Sequence, residues 1–252
     1  MEEFSKLVNL METLRGDKGC PWDKKQTVKE FKTYLLEEVY ELIDAIERDD
    51  GQALREELGD LLFHIVFITQ ICRERGLFDI QDVVSHTHEK MYHRHPHVFK
   101  GIHDGVSVEK RWEELKKEEN ADYSPLSHVP RIMPALLRAY VISRRASKAG
   151  FDWMELADVH KKMSEELEEL ERAERSGSDS AVREEVGDVL FTMVNIARFQ
   201  RIDPEDALRL ACDKFIRRFN YVEQKTDLKT ASLAKMDELW DEAKAYLRSD
   251  SV

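Results

Sequence analysis

The chain has 252 residues, of which 42% are apolar, and it carries a formal net charge of −12. That length can bury one large core or two modest ones, and the acidic balance disfavours a general binder of nucleic acid or of membrane surfaces. The three cysteines lie far apart and form no CxxC pair, which indicates a reducing compartment rather than a disulfide framework.

The N-terminal end and the apolar stretches favour a cytoplasmic protein. The first residues, Met1–Phe4, do not resemble a signal peptide. The most apolar stretch, 61–72, contains His64, Thr69 and Gln70. A bilayer span needs about 20 apolar residues, so this stretch is too short to cross one. We therefore predict a core helix there.

A pair of amphipathic helices is predicted in each half of the chain. Apolar residues recur at the helical period along 35–46 and again along 54–65. Asp49, Asp50 and Gly51 lie between the two helices as a short turn, so we expect an antiparallel helical hairpin. The second half repeats this arrangement around a turn at 176–178. No stretch has the period of a strand, and the predicted fold is all-α, with two related helical bundles.

Each predicted hairpin carries five carboxylates in the pattern Glu-Glu-x-x-Glu followed by Glu-x-x-Asp. The first copy consists of Glu37, Glu38, Glu41, Glu57 and Asp60. The second copy, 128 residues later at every position, consists of Glu165, Glu166, Glu169, Glu185 and Asp188. At 100° per residue, the three carboxylates on the first helix of a hairpin fall within an arc of about 100°. Antiparallel pairing would bring them close to the other two.

A solvated acidic face is the ordinary explanation of such a pattern, and three features count against it. No basic residue occurs between Leu35 and Glu47, although solvated helices usually pair Glu with Lys or Arg. Gly59 and Gly187 lie within the second helices, where glycine costs about 1 kcal/mol relative to alanine. Such a glycine is explained if another helix or a ligand approaches closely. The whole constellation also occurs twice, which indicates a shared function.

Carboxylate ligands in this number indicate a site for Mg²⁺, with Mn²⁺ as a substitute. A carboxylate-bridged di-iron bundle would require Glu-x-x-His motifs, and none of the nine histidines has a Glu three positions before it. Six histidines crowd the stretch 86–103, but their spacing matches no standard zinc ligand set. His64 lies one turn after Asp60. We expect a structural role for it rather than one in orienting a ligand, since its counterpart is Thr192.

Two further pairs of residues repeat outside the hairpins. One is a basic pair four residues apart, and the other is a Trp followed four residues later by a Lys. In the first half these are Lys90, Arg94, Trp112 and Lys116. In the second half they are Lys214, Arg218, Trp240 and Lys244. Lys and Arg suit phosphate oxygens and Trp can stack on any base, while ordinary helix packing explains each pair equally well.

A proline-rich stretch separates the two halves. Three of the six prolines, Pro125, Pro130 and Pro134, lie within 120–134. Such a stretch is typical of a linker. We therefore predict an N-terminal domain at 1–119, a linker at 120–134 and a C-terminal domain at 135–252.

The doubled acidic motif, with the Gly-Cys-Pro-Trp-Asp segment at 19–23 and the Arg-His-Pro-His-Val-Phe segment at 94–99, resembles the MazG family of nucleoside triphosphate pyrophosphohydrolases. These belong to the all-α NTP pyrophosphatase superfamily. The resemblance covers essentially the whole chain, as the tandem two-domain form. It implies hydrolysis of nucleoside triphosphates to monophosphates and pyrophosphate, with broad base specificity, in nucleotide-pool housekeeping. It also implies a homodimer.

The resemblance further implies roles for individual residues. Glu37 and Glu165 would orient or activate the attacking water. The Mg²⁺ ligands would be Glu38, Glu41, Glu57 and Asp60 in the first domain and Glu166, Glu169, Glu185 and Asp188 in the second. The repeated basic and Trp residues would contact the nucleotide. Family members can carry a Lys just before the second Glu-x-x-Asp, where this chain has Ala181-Val182-Arg183, so Arg183 is the candidate there.

The alternative to an enzyme is a non-catalytic helical regulator that binds a nucleotide with its metal and a protein partner. In that case the acidic faces are interaction surfaces. No Gly is followed by Lys in the chain, so P-loop chemistry between the β and γ phosphates is excluded. Release of pyrophosphate distinguishes the enzyme from the regulator.

Overall fold

The computed structural model describes residues 2–102, 105–120 and 122–249. Every regular element in these residues is a helix, so the prediction of an all-α fold is confirmed. Of the crowded histidines, His103 lies outside the described residues. The chain divides into two compact units, Met1–Glu118 and Glu119–Val252. None of the described helices combines the length and the apolar character that crossing a membrane requires.

The first unit contains seven helices: α1 Glu2–Arg15, α2 Pro21–Lys25, α3 Val28–Glu47, α4 Gly51–Glu74, α5 Ile80–Arg94, α6 Pro96–Phe99 and α7 Val108–Glu119. Helices α3 and α4 form the expected antiparallel hairpin, and α1 packs on α4. The core of this unit is built from Met11, Phe31, Val66, Phe67 and Ile71.

Capping side chains set the ends of the first hairpin. Thr27 and Glu30 form a capping box at the start of α3, in which the Thr27 amide donates to a Glu30 carboxylate oxygen at 2.8 Å. Asp50 caps α4 by accepting from the amides of Gln52 and Ala53 at 3.1 Å each. The turn therefore consists of residues 48–50, and Gly51 is the first residue of α4 rather than part of the turn.

The second unit contains five helices: α8 Ala135–Lys148, α9 Leu156–Ser176, α10 Asp179–Phe199, α11 Pro204–Lys225 and α12 Leu233–Ser249. Helices α9 and α10 form the second hairpin, α8 packs on α10, and α12 packs on α11. Gly177 ends α9 with a φ of 69°, the left-handed conformation that favours glycine. Ser178 then caps α10 through the amide of Ala181.

A shielded arginine fixes the segment that precedes the acidic hairpin in each unit. In the first unit Arg15 of α1 makes two hydrogen bonds to the Glu74 carboxylate, at 2.8 and 2.6 Å, and donates to the carbonyl oxygen of Asp23. In the second unit Arg198 of α10 makes the equivalent double contact with Asp152. The second arginine also donates to Ser143 at 2.7 Å. The arginine therefore comes from opposite helices in the two units.

The hairpins leave large apolar side chains in solvent. On the first hairpin these side chains include Leu36, Tyr40, Ile43, Leu58, Leu62 and Ile65. On the second they include Leu167, Val186, Leu190 and Met193. A Cβ placed on Gly59 or on Gly187 would meet no described atom within 4 Å. The single chain therefore does not supply the close approach that the sequence suggested at these glycines.

Candidate functional site

The first acidic cluster joins the two helices of the N-terminal hairpin. Glu38 and Glu41 on α3 and Glu57 on α4 each present one carboxylate oxygen, and these three oxygens lie within 4.8 Å of one another. Asp60 lies outside this group, although its charge raises the pKa of both Glu38 and Glu57. Three of the four expected ligands are thus brought together, with the fourth close by.

Mutual repulsion within the first cluster is visible in its acidities. Desolvation is the largest cause of the raised pKa of Glu38, followed by the charges of Asp60 and Glu41. Desolvation also leads for Glu57, followed by Glu41 and Asp60. Glu37 contributes the smallest of the causes at Glu38. A bound cation would relieve this repulsion, because it supplies the opposite charge that the cluster lacks.

The second acidic cluster has a slightly different membership. Here Glu166, Glu185 and Asp188 present oxygens within 4.8 Å of one another. Glu169 lies outside the group and pairs with Arg172 at 3.2 Å. After desolvation, the charge of Glu169 is nevertheless the largest cause of the raised pKa of Glu185. The structure therefore places the same five-residue motif around two similar but inequivalent clusters.

Lys162 is a residue that the sequence reasoning missed. Its ammonium nitrogen lies 2.9 Å from a carboxylate oxygen of Glu166, whose side chain is only 7% exposed, and 3.5 Å from Glu165. The hydrogen bond to Glu166 raises the pKa of Lys162. The argument from missing basic residues holds only for the first copy, where Tyr34 occupies the equivalent position. The sequence did contain a signal for this ion pair, because Lys162 lies four residues before Glu166, the spacing at which side chains meet on one helix face.

His64 lies behind the first cluster with its ring inside the unit. The residue is 8% exposed, and its Nδ1 is 4.0 Å from Glu38 Oε1. Burial lowers the pKa of His64, against the opposing charge of Asp60. The ring is therefore neutral near pH 7. Its Nδ1 is buried and has no hydrogen-bond partner among the described residues.

The repeated basic and Trp residues form a second layer in each unit. The Arg94 guanidinium lies 5.4 Å from the centre of the Trp112 ring, and Arg218 lies 5.9 Å from the centre of Trp240. Lys90 and Lys214 lie one turn before these arginines on α5 and α11, and Lys116 and Lys244 pair with carboxylates on their own helices. In the described part of the chain, α7 does not pack against α3 or α4, and α12 does not pack against α9 or α10. Each Arg is thus brought to its Trp. The Arg-bearing helices α5 and α11 contact α4 and α10, whereas the Trp-bearing helices contact neither helix of their own acidic hairpin in the described residues.

Arg183 stands apart from the second cluster. It lies two residues before Glu185 on α10, which places the two side chains about 160° apart around the helix. The Arg183 side chain is exposed. Lys162, on the facing helix, is the basic residue that the structure places at the carboxylates.

The donor chemistry of both clusters fits a hard divalent cation. Within the described residues, the groups able to hold a metal ion consist of carboxylates alone, and oxygen ligands suit Mg²⁺ and Mn²⁺. No histidine joins either group, as a zinc or di-iron centre would require.

Comparison with known proteins gives a consistent result. The profile of the MazG nucleotide pyrophosphohydrolase domain matches residues 26–99 and again residues 155–223. Both acidic motifs fall inside these ranges, whereas the two Trp/Lys pairs fall outside them. The chain is 44% identical over 248 residues to the nucleoside triphosphate pyrophosphohydrolase/pyrophosphatase MazG of Thermotoga maritima. This alignment covers 96% of the chain and 95% of that protein.

Two other relatives match nearly the whole chain. A nucleoside triphosphate pyrophosphohydrolase of Escherichia coli K12 is 41% identical over 257 residues, covering 97% of this chain and 98% of that protein. The uncharacterized protein YabN of Bacillus subtilis is 43% identical over 252 residues, covering 96% of this chain but 52% of that protein. The alignments with the Thermotoga maritima and Escherichia coli proteins are long enough to include both hairpins.

Proposed function

The chain belongs to the MazG family of nucleotide pyrophosphohydrolases, and on that basis we propose that it hydrolyses nucleoside triphosphates, both ribose and deoxyribose forms, to monophosphates and pyrophosphate with Mg²⁺ as cofactor. The observation that carries the cofactor assignment is the doubled carboxylate cluster. In both copies three oxygens converge within 4.8 Å, and desolvation followed by neighbouring negative charges raises the pKa of Glu57 and Glu185.

The reaction is a displacement at the α-phosphorus. A water oxygen forms the new bond to this phosphorus, and the bond from the α-phosphorus to the bridging oxygen breaks to release pyrophosphate. Glu37 and Glu165 stand beside the clusters on the first helix of each hairpin, and we assign them to orient the water and accept its proton. Mg²⁺ would be held by Glu38, Glu41, Glu57 and Asp60 in the first unit and by Glu166, Glu169, Glu185 and Asp188 in the second. It would neutralise carboxylates and phosphates there and so favour charge build-up on the leaving group.

Basic residues bind the triphosphate. Lys162 already lies at the second cluster, 2.9 Å from Glu166, and its ammonium can turn to a phosphate oxygen when a cation neutralises that carboxylate. The Arg-Trp pairs would supply a second basic contact and a face for the base. Stacking on Trp does not distinguish one base from another, so we expect broad base specificity and a role in nucleotide-pool housekeeping.

The functional unit is proposed to be a homodimer. Large apolar side chains remain exposed along both hairpins, which marks an interaction surface. Within the described residues, the Trp-bearing helices α7 and α12 do not pack on the acidic hairpins of the same chain. A second copy would both cover the apolar faces and bring its Arg-Trp layer to the clusters. Three free cysteines fit a reducing compartment, and we place the protein in the cytoplasm.

Release of pyrophosphate from ATP, dATP and the other triphosphates by the purified chain with Mg²⁺ tests the proposal directly. Hydrolysis in ¹⁸O-water identifies the bond, because attack at the α-phosphorus puts the label into the monophosphate and leaves pyrophosphate unlabelled. Label in pyrophosphate would indicate attack at the β-phosphorus. Nucleotide binding without any product would support the non-catalytic regulator instead.

A further inference from the structure

Packing fixes the ring of His64 in one orientation. Its edge meets the Phe31 ring at 84° with the centroids 5.3 Å apart, and the Phe63 ring lies 5.5 Å away. Tyr34 lies on a third side at 6.3 Å. Phe31 itself is buried in the core of the first unit. With aromatic neighbours on these sides, the ring cannot swing away without disturbing the core.

The Nδ1 atom of this fixed ring lacks a partner. It is buried and makes no hydrogen bond within the described residues, although most buried polar atoms in proteins are satisfied. The ion-pair partner found for it is Glu38 Oε1, at 4.0 Å, which is too long for a hydrogen bond. Glu38 is also a member of the acidic cluster. An unsatisfied side chain, nine-tenths buried, therefore points at a candidate metal ligand.

In the second unit, the carboxylate equivalent to Glu38 has a different hydrogen-bond donor. Glu166 receives the ammonium group of Lys162 at 2.9 Å, from one turn earlier on the same helix. Tyr34 takes the place of that lysine in the first unit, and Thr192 takes the place of His64 in the second. Each innermost carboxylate thus has one donor close to it, a cation in the second unit and a neutral imidazole in the first.

We propose that His64 is a positioning residue of the N-terminal site, whose Nδ1–H donates a hydrogen bond to Glu38 and so holds this carboxylate in the orientation that binds a divalent cation. The proposal rests on the metal dependence in the proposed function. Glu38, on the flexible end of a long side chain, closes the 4.0 Å gap while the ring stays fixed. Donors behind a ligand carboxylate orient it and strengthen metal binding.

The test measures binding of Mn²⁺ alone to the full chain by isothermal titration calorimetry. The parent is Glu185→Gln, which removes a member of the C-terminal cluster and leaves the N-terminal site to be titrated. His64→Phe keeps an aromatic ring and removes the donor, and we expect it to weaken Mn²⁺ binding about tenfold. His64→Asn places an amide donor near the Nδ1 position and should bind within about threefold of the parent, since the donor that orients the ligand is kept.

A control in the mirrored background completes the design. Thr192→Val, in a Glu57→Gln parent, changes the equivalent buried position of the second unit and should leave Mn²⁺ binding there unchanged. His64→Leu replaces His64→Phe if the latter does not fold, as judged by circular dichroism. Equal Mn²⁺ affinity of His64→Phe and its parent would overturn the role of His64 alone. Equal weakening by His64→Phe and His64→Asn would also overturn it, since packing rather than a donor would then matter. No Mn²⁺ binding by the parent would overturn the metal dependence and this inference together.

Discussion

Lys162 lies 2.9 Å from Glu166 in the second unit, where the first unit has Tyr34. The second acidic cluster therefore carries its own positive charge, whereas no Lys or Arg pairs with the first cluster among the described residues. The two sites differ in the charge that a nucleotide meets, even though their carboxylate motifs are identical.

The first prediction concerns this lysine. In a Glu41→Gln background, which restricts turnover to the second site, Lys162→Met should raise the KM for a triphosphate about tenfold, the effect of losing one charge-assisted hydrogen bond. The adjacent Lys161→Met is the control, because Lys161 pairs with Asp158 at 3.3 Å rather than with the cluster. Steady-state kinetics with pyrophosphate detection gives both values. An unchanged KM in Lys162→Met would contradict a phosphate contact.

The second prediction concerns the carboxylates themselves. Glu41→Gln and Glu169→Gln should each abolish turnover in their own unit, since a lost ligand charge weakens metal binding. The double variant should be inactive yet keep the melting temperature of the parent or exceed it, because one repelling charge is removed from each cluster. The matched control is Glu56→Gln. The charge of Glu56 is the smallest of the causes that raise the pKa of Glu57. Activity in the double variant would contradict the assignment.

The third prediction follows from the raised pKa of Glu38, Glu57 and Glu185. A carboxyl group whose folded pKa exceeds its unfolded value stabilises the fold at pH below the unfolded pKa, and that contribution is lost as pH rises through the folded pKa. In EDTA, the contribution of the clusters to stability should therefore fall as pH rises from about 4 towards 7. Added Mg²⁺ should raise the melting temperature more at pH 7.5 than at pH 5, because the metal needs ionised ligands.

Two other carboxyl groups behave in the opposite sense and set the acid limit of that experiment. The hydrogen bonds of Arg15 lower the pKa of Glu74. For Asp152, desolvation is the largest single cause and raises the pKa, but the hydrogen bonds and charge of Arg198, with the hydrogen bonds from Ser147 and the Trp153 amide, together outweigh it and lower the pKa. Their stabilisation is lost as pH falls through the lowered values, so thermal scans should stay above pH 4. Glu41→Gln with Glu169→Gln should flatten the dependence on Mg²⁺. A dependence unchanged in that variant would place the metal elsewhere.

The fourth prediction is dimerisation through the hairpins. Light scattering should give about twice the chain mass of 29.6 kDa. The double variant Leu36→Lys with Leu58→Lys places two charges on the exposed apolar face. It should shift the protein towards monomers, because dimerisation would bury these charges without partners. Leu233→Lys is the control, since this exposed residue begins α12 rather than lying on a hairpin. A monomer at micromolar concentration would contradict the prediction.

The fifth prediction concerns the proposed domains. Fragments 1–119 and 131–252 should each fold as helical dimers with the circular dichroism of α-helix. Arg145 donates to the carbonyl oxygen of Ser127 at 3.0 Å and to that of Pro125. A fragment that begins at 122 should therefore melt at a higher temperature than one that begins at 131. Two unfolded fragments would contradict the division into domains.

The sequence predicted both hairpins because their signals are local. Apolar residues at helical spacing and a doubled motif need no knowledge of distant contacts. The turn was misplaced by one residue, since Gly51 begins α4. Helix ends depend on which side chain caps them, and Asp50 precedes the glycine.

Inequivalence between the clusters was harder to predict. The identical motifs concealed that Asp60 is left out of one group and Glu169 out of the other, which depends on side-chain orientations. Arg172 draws Glu169 away, and Tyr34 stands where Lys162 does. The contact of Arg94 with Trp112 was not predicted, because it joins α5 to α7 and helical spacing relates only residues on one helix.

The arginines behind the hairpins limit how the two halves can be recombined. Arg15 has Ser143 as its counterpart 128 residues later, and Arg198 has Gln70 as its counterpart 128 residues earlier. A chimera with α8 in place of α1 would remove the two hydrogen bonds that Arg15 donates to Glu74, whereas the reverse exchange would place two arginines around Asp152. After duplication, the helix and its carboxylate partner have diverged as a matched set, so only whole units remain interchangeable.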